Sequence, residues 1–351
     1  MTTAPASLGE IANRVELLLA STLDQEIQRW LQLDSELGVP IAEIRRLVLV
    51  GGKRLRPAFC YWGYVGLGGA DQEKAIQMGA AIELLHAMAL FHDDIMDGAL
   101  TRRGDMTTHL RFEEQHLRSG WAGEARRFGE GAAILIGDMA FVLSDRLVND
   151  VSRPVRNMWD EMRMELNVGQ YLDMLGSARR ERSGEVADRI CRFKSGKYTI
   201  ERPLHIGALL ADSGHADLVL QQLSAFGLPL GDAFQMRDDV LGAFGHESVT
   251  GKSVGGDLRE GKPTPLLACA TQRATKAQLD ILRTVGQEDL TDGDVAEIQQ
   301  VIIDSGALDE LESRITFLRD KAIASLTQTR LSSDAVEELI LLAHYVSDRD
   351  V

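Results

Sequence analysis

Apolar residues recur along this chain at spacings of three and four. Ile11, Val15, Leu18, Leu19, Leu23, Ile27 and Leu31 trace the first such stripe, the mark of an amphipathic helix with one face turned to a core. The same rhythm predicts helices over 130–149, 155–176, 185–211, 217–243, 264–284, 293–303, 307–328 and 333–346. The run 75–97 contains no proline and is apolar on almost every side between Ala80 and Phe91, so it predicts a buried helix. Pro40 and the pair Gly51-Gly52 punctuate the stretch before it. The segment from Glu113 to Gly131 is charged and contains glycine, which predicts a surface excursion. There is no β-branched alternation, Asn-Gly hairpin or βαβ rhythm, and no internal repeat or Gly/Ser linker. The pattern predicts an all-α fold, with residues 1–351 forming a single helical domain.

Charge changes the picture more than composition does. With 44% hydrophobic and 26% charged residues the chain has ordinary material for a core. Its formal net charge is −15. So negative a field repels nucleic acid and anionic membrane alike, and neither is an expected partner. An anionic substrate must therefore be gripped locally, by clustered Arg and Lys or by metal ions. Cys60, Cys191 and Cys269 are odd in number and far apart, which fits reduced thiols rather than a disulfide framework or a metal site. The start, Met1 to Pro5, lacks the basic residues and apolar run of a signal peptide. No stretch approaches the roughly twenty uninterrupted apolar residues of a membrane span. A cytoplasmic protein with no membrane span is expected.

Acids interrupt the buried pattern in two places. The first is Phe91-His92-Asp93-Asp94-Ile95-Met96-Asp97, where Asp93 and Asp97 lie one helical turn apart on one face with Asp94 beside them. A solvated acidic helix end is the plainer explanation. Two facts weigh against it: the helix before it is buried, and carboxylates at a helix C-terminus oppose the macrodipole. Close carboxylates repel unless cations relieve them, and hard oxygen ligands suit Mg²⁺ completed by substrate phosphate. The second place is Phe234-Gln235-Met236-Arg237-Asp238-Asp239-Val240-Leu241-Gly242. Acid clusters on two helices of a bundle can face one another and clamp metal from two sides.

Basic residues follow each cluster. Thr101-Arg102-Arg103-Gly104 supplies two guanidinium forks suited to phosphate oxygens, although alone it reads as a solvated loop. Gly251-Lys252, Asp257 and Gly261-Lys262 lie in the polar, Gly-containing stretch from Gly242 to Pro265. Upstream, Gly51-Gly52-Lys53-Arg54-Leu55-Arg56-Pro57 places three cations in four residues. By itself that is a basic surface turn; beside the acid clusters it becomes a second phosphate site. Thr250-Gly251-Lys252-Ser253 imitates the end of a P-loop, but the first glycine such a loop needs is His246 and no strand precedes it, so nucleotide binding is rejected.

Together these motifs, with Glu83-Leu84-Leu85-His86, Gly169-Gln170-Tyr171-Leu172-Asp173-Met174 and Gly255-Gly256-Asp257-Leu258-Arg259-Glu260-Gly261-Lys262, resemble the trans-isoprenyl diphosphate synthases. The likeness runs from about Gly51 to Lys262. It implies a single large helical bundle of the isoprenoid synthase type around a central active-site cavity. It also implies Mg²⁺ on Asp93, Asp94, Asp97 and Asp238, with Asp239 and Lys194 sharing the catalytic work. Isopentenyl diphosphate is expected on Gly52, Lys53, Arg56, His86 and Arg103. The allylic diphosphate (dimethylallyl, geranyl or farnesyl) is expected on Arg102, Lys194, Ser195, Gln235, Lys252 and Lys262, with Gln170 and Asp173 nearby. Ser195 stands where the family usually has threonine, and Gly242 stands where many members have a third acid, which leaves the metal count open. The resemblance further implies a homodimer.

The expected chemistry is ionisation of the allylic C–O bond, attack of the isopentenyl double bond on the cation, and proton loss to the released diphosphate. An apolar cavity must keep water from the cation. A class I terpene cyclase would need an Asn/Ser/Glu metal motif where Asp238-Asp239 stands, and a non-catalytic partner subunit would be expected to have lost an acid or basic motif. For chain length, Ala89 lies one turn before Asp93, about 6 Å along the axis. It is small, and its neighbour Met88 is flexible. Members that stop at farnesyl diphosphate often carry bulky aromatics there, so geranylgeranyl diphosphate is the expected product, with farnesyl or geranylfarnesyl diphosphate as alternatives.

Overall fold

The computed structural model describes residues 3–212, 214, 216–245, 255–287 and 289–348. The N-terminal stripe forms α1 (Ala6–Leu31), which buries Leu8, Ile11, Val15, Leu19 and Leu23. Two helices that the sequence reading omits follow, α2 (Val39–Leu49) and α3 (Leu55–Val65). Pro40 sits in the first turn of α2, where its missing N–H is no loss. Gly51 and Gly52 make the sharp link to α3, Gly51 with φ of 108°. Residues that read as breaks thus stand at helix ends.

The apolar run is α4 (Gln72–Met96). By length and composition it could cross a membrane, but most of it is buried inside the protein. A two-residue hairpin follows, β1 (Thr101–Arg102) paired with β2 (Asp105–Met106). Arg103 and Gly104, both at positive φ, form its turn. This is the backbone twist that Asn-Gly usually supplies, so the hairpin was hidden from a search for that pair.

The predicted excursion over 113–131 is mostly helical. It spans the end of α5 (Thr108–Ser119) and the start of α6 (Ala125–Leu147). At Gly129 a side chain would strike the backbone carbonyl of His109, so glycine allows the two helices to touch. Next come α7 (Arg153–Ala178) and α8 (Gly184–Cys191). The single helix predicted over 185–211 is continuous but changes gauge. Arg192–Glu201 is wound as a π-helix before α9 (Arg202–Ala211) resumes the α-form at Pro203, which has no N–H to continue the wide turn. The long α10 (Ala216–Phe244) follows.

Beyond it lie α11 (Gly256–Glu260), α12 (Pro265–Arg273), α13 (Lys276–Leu282), α14 (Asp292–Asp304), α15 (Ala307–Ser325) and α16 (Ser333–Ser347). The helix predicted over 264–284 is two, because Thr275 caps α13 through a capping box with Gln278. The architecture is an all-α bundle. One large core joins α1 to α4, α6, α7, α9, α16 and the first half of α10. A second core packs the last half of α10 against α11 to α15. Helix α10 is therefore shared by both, and Arg237 pins it by donating to Glu312 at 2.6 Å and to the Ser347 carbonyl at 2.7 Å.

His205 is buried on α9. Its Nε2 lies 3.1 Å from the Leu220 carbonyl and its Nδ1 3.2 Å from the Arg202 guanidinium, an arrangement that suits the neutral ring. Burial, aided by Arg202, lowers its pKa from 6.5 to about 3. The unfolded chain takes up this proton below its ordinary pKa while the folded chain refuses it. Stability is therefore present above about 6.5 and is lost as pH falls, by about 1.4 kcal/mol per unit for this group. Urea midpoints measured between pH 7 and 4 should fall less steeply in His205→Gln than in the wild type. Equal slopes would show that His205 does not carry the effect.

Candidate active site

Helix α4 is buried at most positions, yet His86, Ala89, Leu90, Asp93 and Asp97 are partly accessible. Their spacing of three and four marks one stripe, which must face an opening. At its C-terminal end two lysines reach across to the acids. Lys194 Nζ lies 3.3 Å from Asp93 Oδ1 and 2.5 Å from Asp173 Oδ2 of α7. Lys262 Nζ lies 2.9 Å from Asp97 Oδ2 and 2.6 Å from Glu260. Burial alone would lower both ammonium pKa values, but Asp93 and Asp173 hold Lys194 above its usual value, and Asp257 and Asp97 hold Lys262 well above. Asp94 is buried and bound by Arg102, whose Nε donates to Oδ1 at 2.8 Å; a second guanidinium nitrogen of Arg102 lies 3.7 Å from Asp93. The hairpin turn is what aims Arg102 back at α4.

Lys194 owes its place to three glycines. A side chain at Gly169 of α7 would overlap the backbone of Lys194, and one at Gly231 of α10 would lie 2.6 Å from the Gly196 carbonyl. The π-helix is thus pressed between α7 and α10 at Gly169, Gly196 and Gly231. Two acid–lysine bonds flank this crossing: Asp173 with Lys194, and Glu165 with Lys197. Glu165 also accepts from Arg202 at 2.6 Å. Ser195, next to Lys194, is partly accessible, and Gln170 lies between Gly169 and Asp173 on α7 with Met96 as a neighbour.

Across from this wall, α10 presents Asp238 and Asp239. Asp239 Oδ1 accepts from Gln235 at 2.8 Å, while its Oδ2 is buried without a hydrogen-bond partner. Burial and the charges of Asp257, Asp238 and Asp173 push Asp239 well above the usual carboxylate range. Among the described residues no three acids form a preformed metal cage. The donor set nevertheless fits Mg²⁺, since hard oxygens from several helices meet here, held by lysines, around one orphaned carboxylate oxygen. Mg²⁺ completes its shell with water and substrate phosphate rather than with an all-protein cage. Lys252 lies outside the described residues.

A second pocket, rich in basic groups, lies about two turns back along α4. His86 feels Arg56, Arg103, Arg102 and Arg54, and burial first and these charges second drive its pKa well below the usual value. Its Nδ1 and the Nε of Arg56 are both buried without a partner. The Arg56 guanidinium stacks 4.5 Å over the Tyr198 ring. Gly52 backs onto the Arg103 guanidinium, where a Cβ would lie 3.2 Å from a terminal nitrogen, and Arg103 donates to the Leu47 carbonyl at 2.9 Å. Lys53 is exposed on the same loop.

Arg54 departs from the sequence reading, which counted it with the anion-binding cations. Its backbone is left-handed, at φ 47°, which turns its side chain inward to a buried pair with Glu83 and to Glu16 at 3.0 Å. Glu83 of the Glu-Leu-Leu-His motif is the sequence signal that points to this: a lone acid in an apolar helix needs a partner. Tyr198 carries one sequence cue alone, its position one turn beyond Lys194.

A family model described as polyprenyl synthetase matches residues 41–302. A geranylfarnesyl diphosphate synthase of Aeropyrum pernix is 34% identical, covering 86% of this chain and 92% of its own. A geranylgeranyl diphosphate synthase of Sulfolobus acidocaldarius is 31% identical over 81% and 82%. A crystal structure of geranylgeranyl pyrophosphate synthase from Corynebacterium glutamicum, complexed with isoprenyl diphosphate and magnesium, has a TM-score of 0.89 and 34% identity, covering 97% of this chain and 99% of that one. With its acid clusters and basic pocket set on such a bundle, the chain belongs to the polyprenyl synthetase family, the trans-isoprenyl diphosphate synthases.

Proposed function

We propose that this chain is a Mg²⁺-dependent geranylgeranyl diphosphate synthase that extends allylic diphosphates with isopentenyl diphosphate. One observation carries the reading: the accessible stripe of α4 through His86, Ala89, Leu90 and Asp93 joins a lysine-bridged acid site to a separate arginine-and-histidine pocket. Two anionic substrates can therefore lie side by side with their reacting ends on one face. Mg²⁺, when bound through Asp93, Asp94, Asp97 and Asp238, supplies charge to stabilise a departing diphosphate.

The protein groups do the rest. Lys194, Lys262 and Arg102 are poised to turn from carboxylates to the oxygens of the allylic diphosphate, with Ser195 and Gln235 beside them. Arg56, Arg103, His86, Lys53 and the Gly52 backbone hold isopentenyl diphosphate. His86, kept neutral by its surroundings, positions this diphosphate through a hydrogen bond rather than a charge. The apolar faces of α4 and its neighbours exclude water from the allylic cation. The proton leaves to the released diphosphate. The relatives match most of the chain, which supports one catalytic domain.

Incubation with isopentenyl diphosphate and each allylic diphosphate, followed by chromatography of the dephosphorylated products, should yield geranylgeraniol as the main alcohol. Asp93→Ala should lower turnover by about 10²-fold or more, the scale of groups that stabilise developing charge. Near-normal turnover by a folded Asp93→Ala protein would contradict the assignment.

Ala89 stands on the accessible stripe one turn before Asp93, and Met88 beside it is buried. We assign Ala89 to the floor side of the chain-length pocket, with Met88 as flexible packing. In Ala89→Phe the main product should shorten to farnesyl diphosphate. An active enzyme with an unchanged product would place the ruler elsewhere.

Helices α6 and α7, joined through Arg163 and Asp145 at 3.0 Å, leave Leu135, Met139, Val142, Val168 and Tyr171 exposed. So much apolar surface on two adjoining helices supports a homodimer. Sedimentation equilibrium should give twice the mass of the chain, and an active monomer would refute the dimer.

A further inference from the structure

Gly242 lies one turn after Asp238 on the same face of α10, so a side chain there would project toward the cleft beside it. That space is filled from elsewhere. A Cβ at position 242 would fall on Oδ2 of Asp257, with the Asp257 carboxyl carbon at 2.6 Å. Asp257 belongs to the first turn of α11, and its side chain is only 16% exposed.

Lys262 lies near this carboxylate, and Asp257 is the most distant of the three acids around it. The Lys262 ammonium is 3.9 Å from Asp257 but 2.9 Å from Asp97 and 2.6 Å from Glu260. Meanwhile Asp239, only 3% exposed, has Oδ2 without a hydrogen-bond partner in the same group of acids. Asp239 thus feels the charges of Asp257 and Asp238 in one acid group, and the lysine beside them is closer to Asp97 and Glu260 than to Asp257.

We propose that Asp257 is the third carboxylate of the α10 acid wall, reaching through the gap left by Gly242 to hold a divalent cation together with Asp238. Glycine at 242 then has a physical role, since any Cβ would push the Asp257 carboxylate aside. The acid is delivered by α11 instead of α10, so binding the cation also fastens α11 and Lys262 over the site. The assignment rests on the diphosphate-synthase reading and fixes which residues complete its second metal wall.

Mn²⁺ can be titrated into the full-length protein with inorganic diphosphate present, and free Mn²⁺ read by electron paramagnetic resonance. Asp257→Asn and Gly242→Ala should each weaken Mn²⁺ binding by roughly 10-fold or more, in the range that metal-site partners usually command. Gly242→Ala removes no carboxylate and on helix propensity alone strengthens α10, so its loss would come from displacing Asp257. The exchange variant Gly242→Asp with Asp257→Gly returns an acid to the same space and should recover most of the affinity. Wild-type affinity in Asp257→Asn overturns the proposal, and so does loss in Asp257→Asn with none in Gly242→Ala. If the wild-type protein takes up no Mn²⁺ with diphosphate, the synthase reading itself falls with it.

Discussion

Carboxylates from α4, α7, α10 and α11 meet in one cleft, and at such range they repel strongly in a partly buried setting. Two ammonium groups relieve this repulsion. Lys194 joins Asp93 to Asp173, and Lys262 joins Asp97 to Glu260. The Lys194 bridge ties α4 to α7 within the large core, and the Lys262 bridge ties α4 to the segment that packs in the second core. In a chain of net charge −15 they also create a local spot where an anion can be welcomed. The same cations that balance the acids are the ones a diphosphate would draw away, leaving the acids for metal.

Much of the remaining structure serves to bring those lysines and acids to the cleft. Gly169, Gly196 and Gly231 let three helices approach closely enough for Lys194 to span from the π-helix to α4. The tight crossing accompanies a rare wide turn, a feature that tends to mark functional positions. Glu165, Lys197 and Arg202 brace the far side of that crossing. The hairpin at Arg103-Gly104 performs the corresponding service for the two arginines, turning Arg102 toward the acid site and Arg103 toward the basic pocket. Arg237, beside Asp238, holds α10 against α15 and the end of α16.

The amphipathic stripes were legible because burying one face of a helix imposes a period of 3.6 residues on the sequence. The residues later found on the α4 stripe and its facing walls were legible because charged groups in apolar helices have few uses. What escaped was set by tertiary contact. Gly129 reads as flexible until α5 lies against it, and Pro40 reads as a break until it falls in a first turn. The π-helix over 192–201 packs at Gly196 against Gly231, a residue far along the chain. Arg54 reads like Lys53 and Arg56, and only its left-handed backbone sends it inward to Glu83. The acid missing at Gly242 reads as a loss until Asp257 is seen in its space.

When metal and substrate arrive, the two lysine bridges should exchange carboxylates for phosphate. Anomalous diffraction from crystals grown with Mn²⁺ and an unreactive allylic diphosphate analogue tests it directly. Mn²⁺ peaks are expected at the Asp93–Asp97 and Asp238–Asp257 walls, with Lys194 and Lys262 moved onto phosphate oxygens. Mn²⁺ bound elsewhere, with both lysines still on Asp93, Asp173 and Asp97, would contradict it.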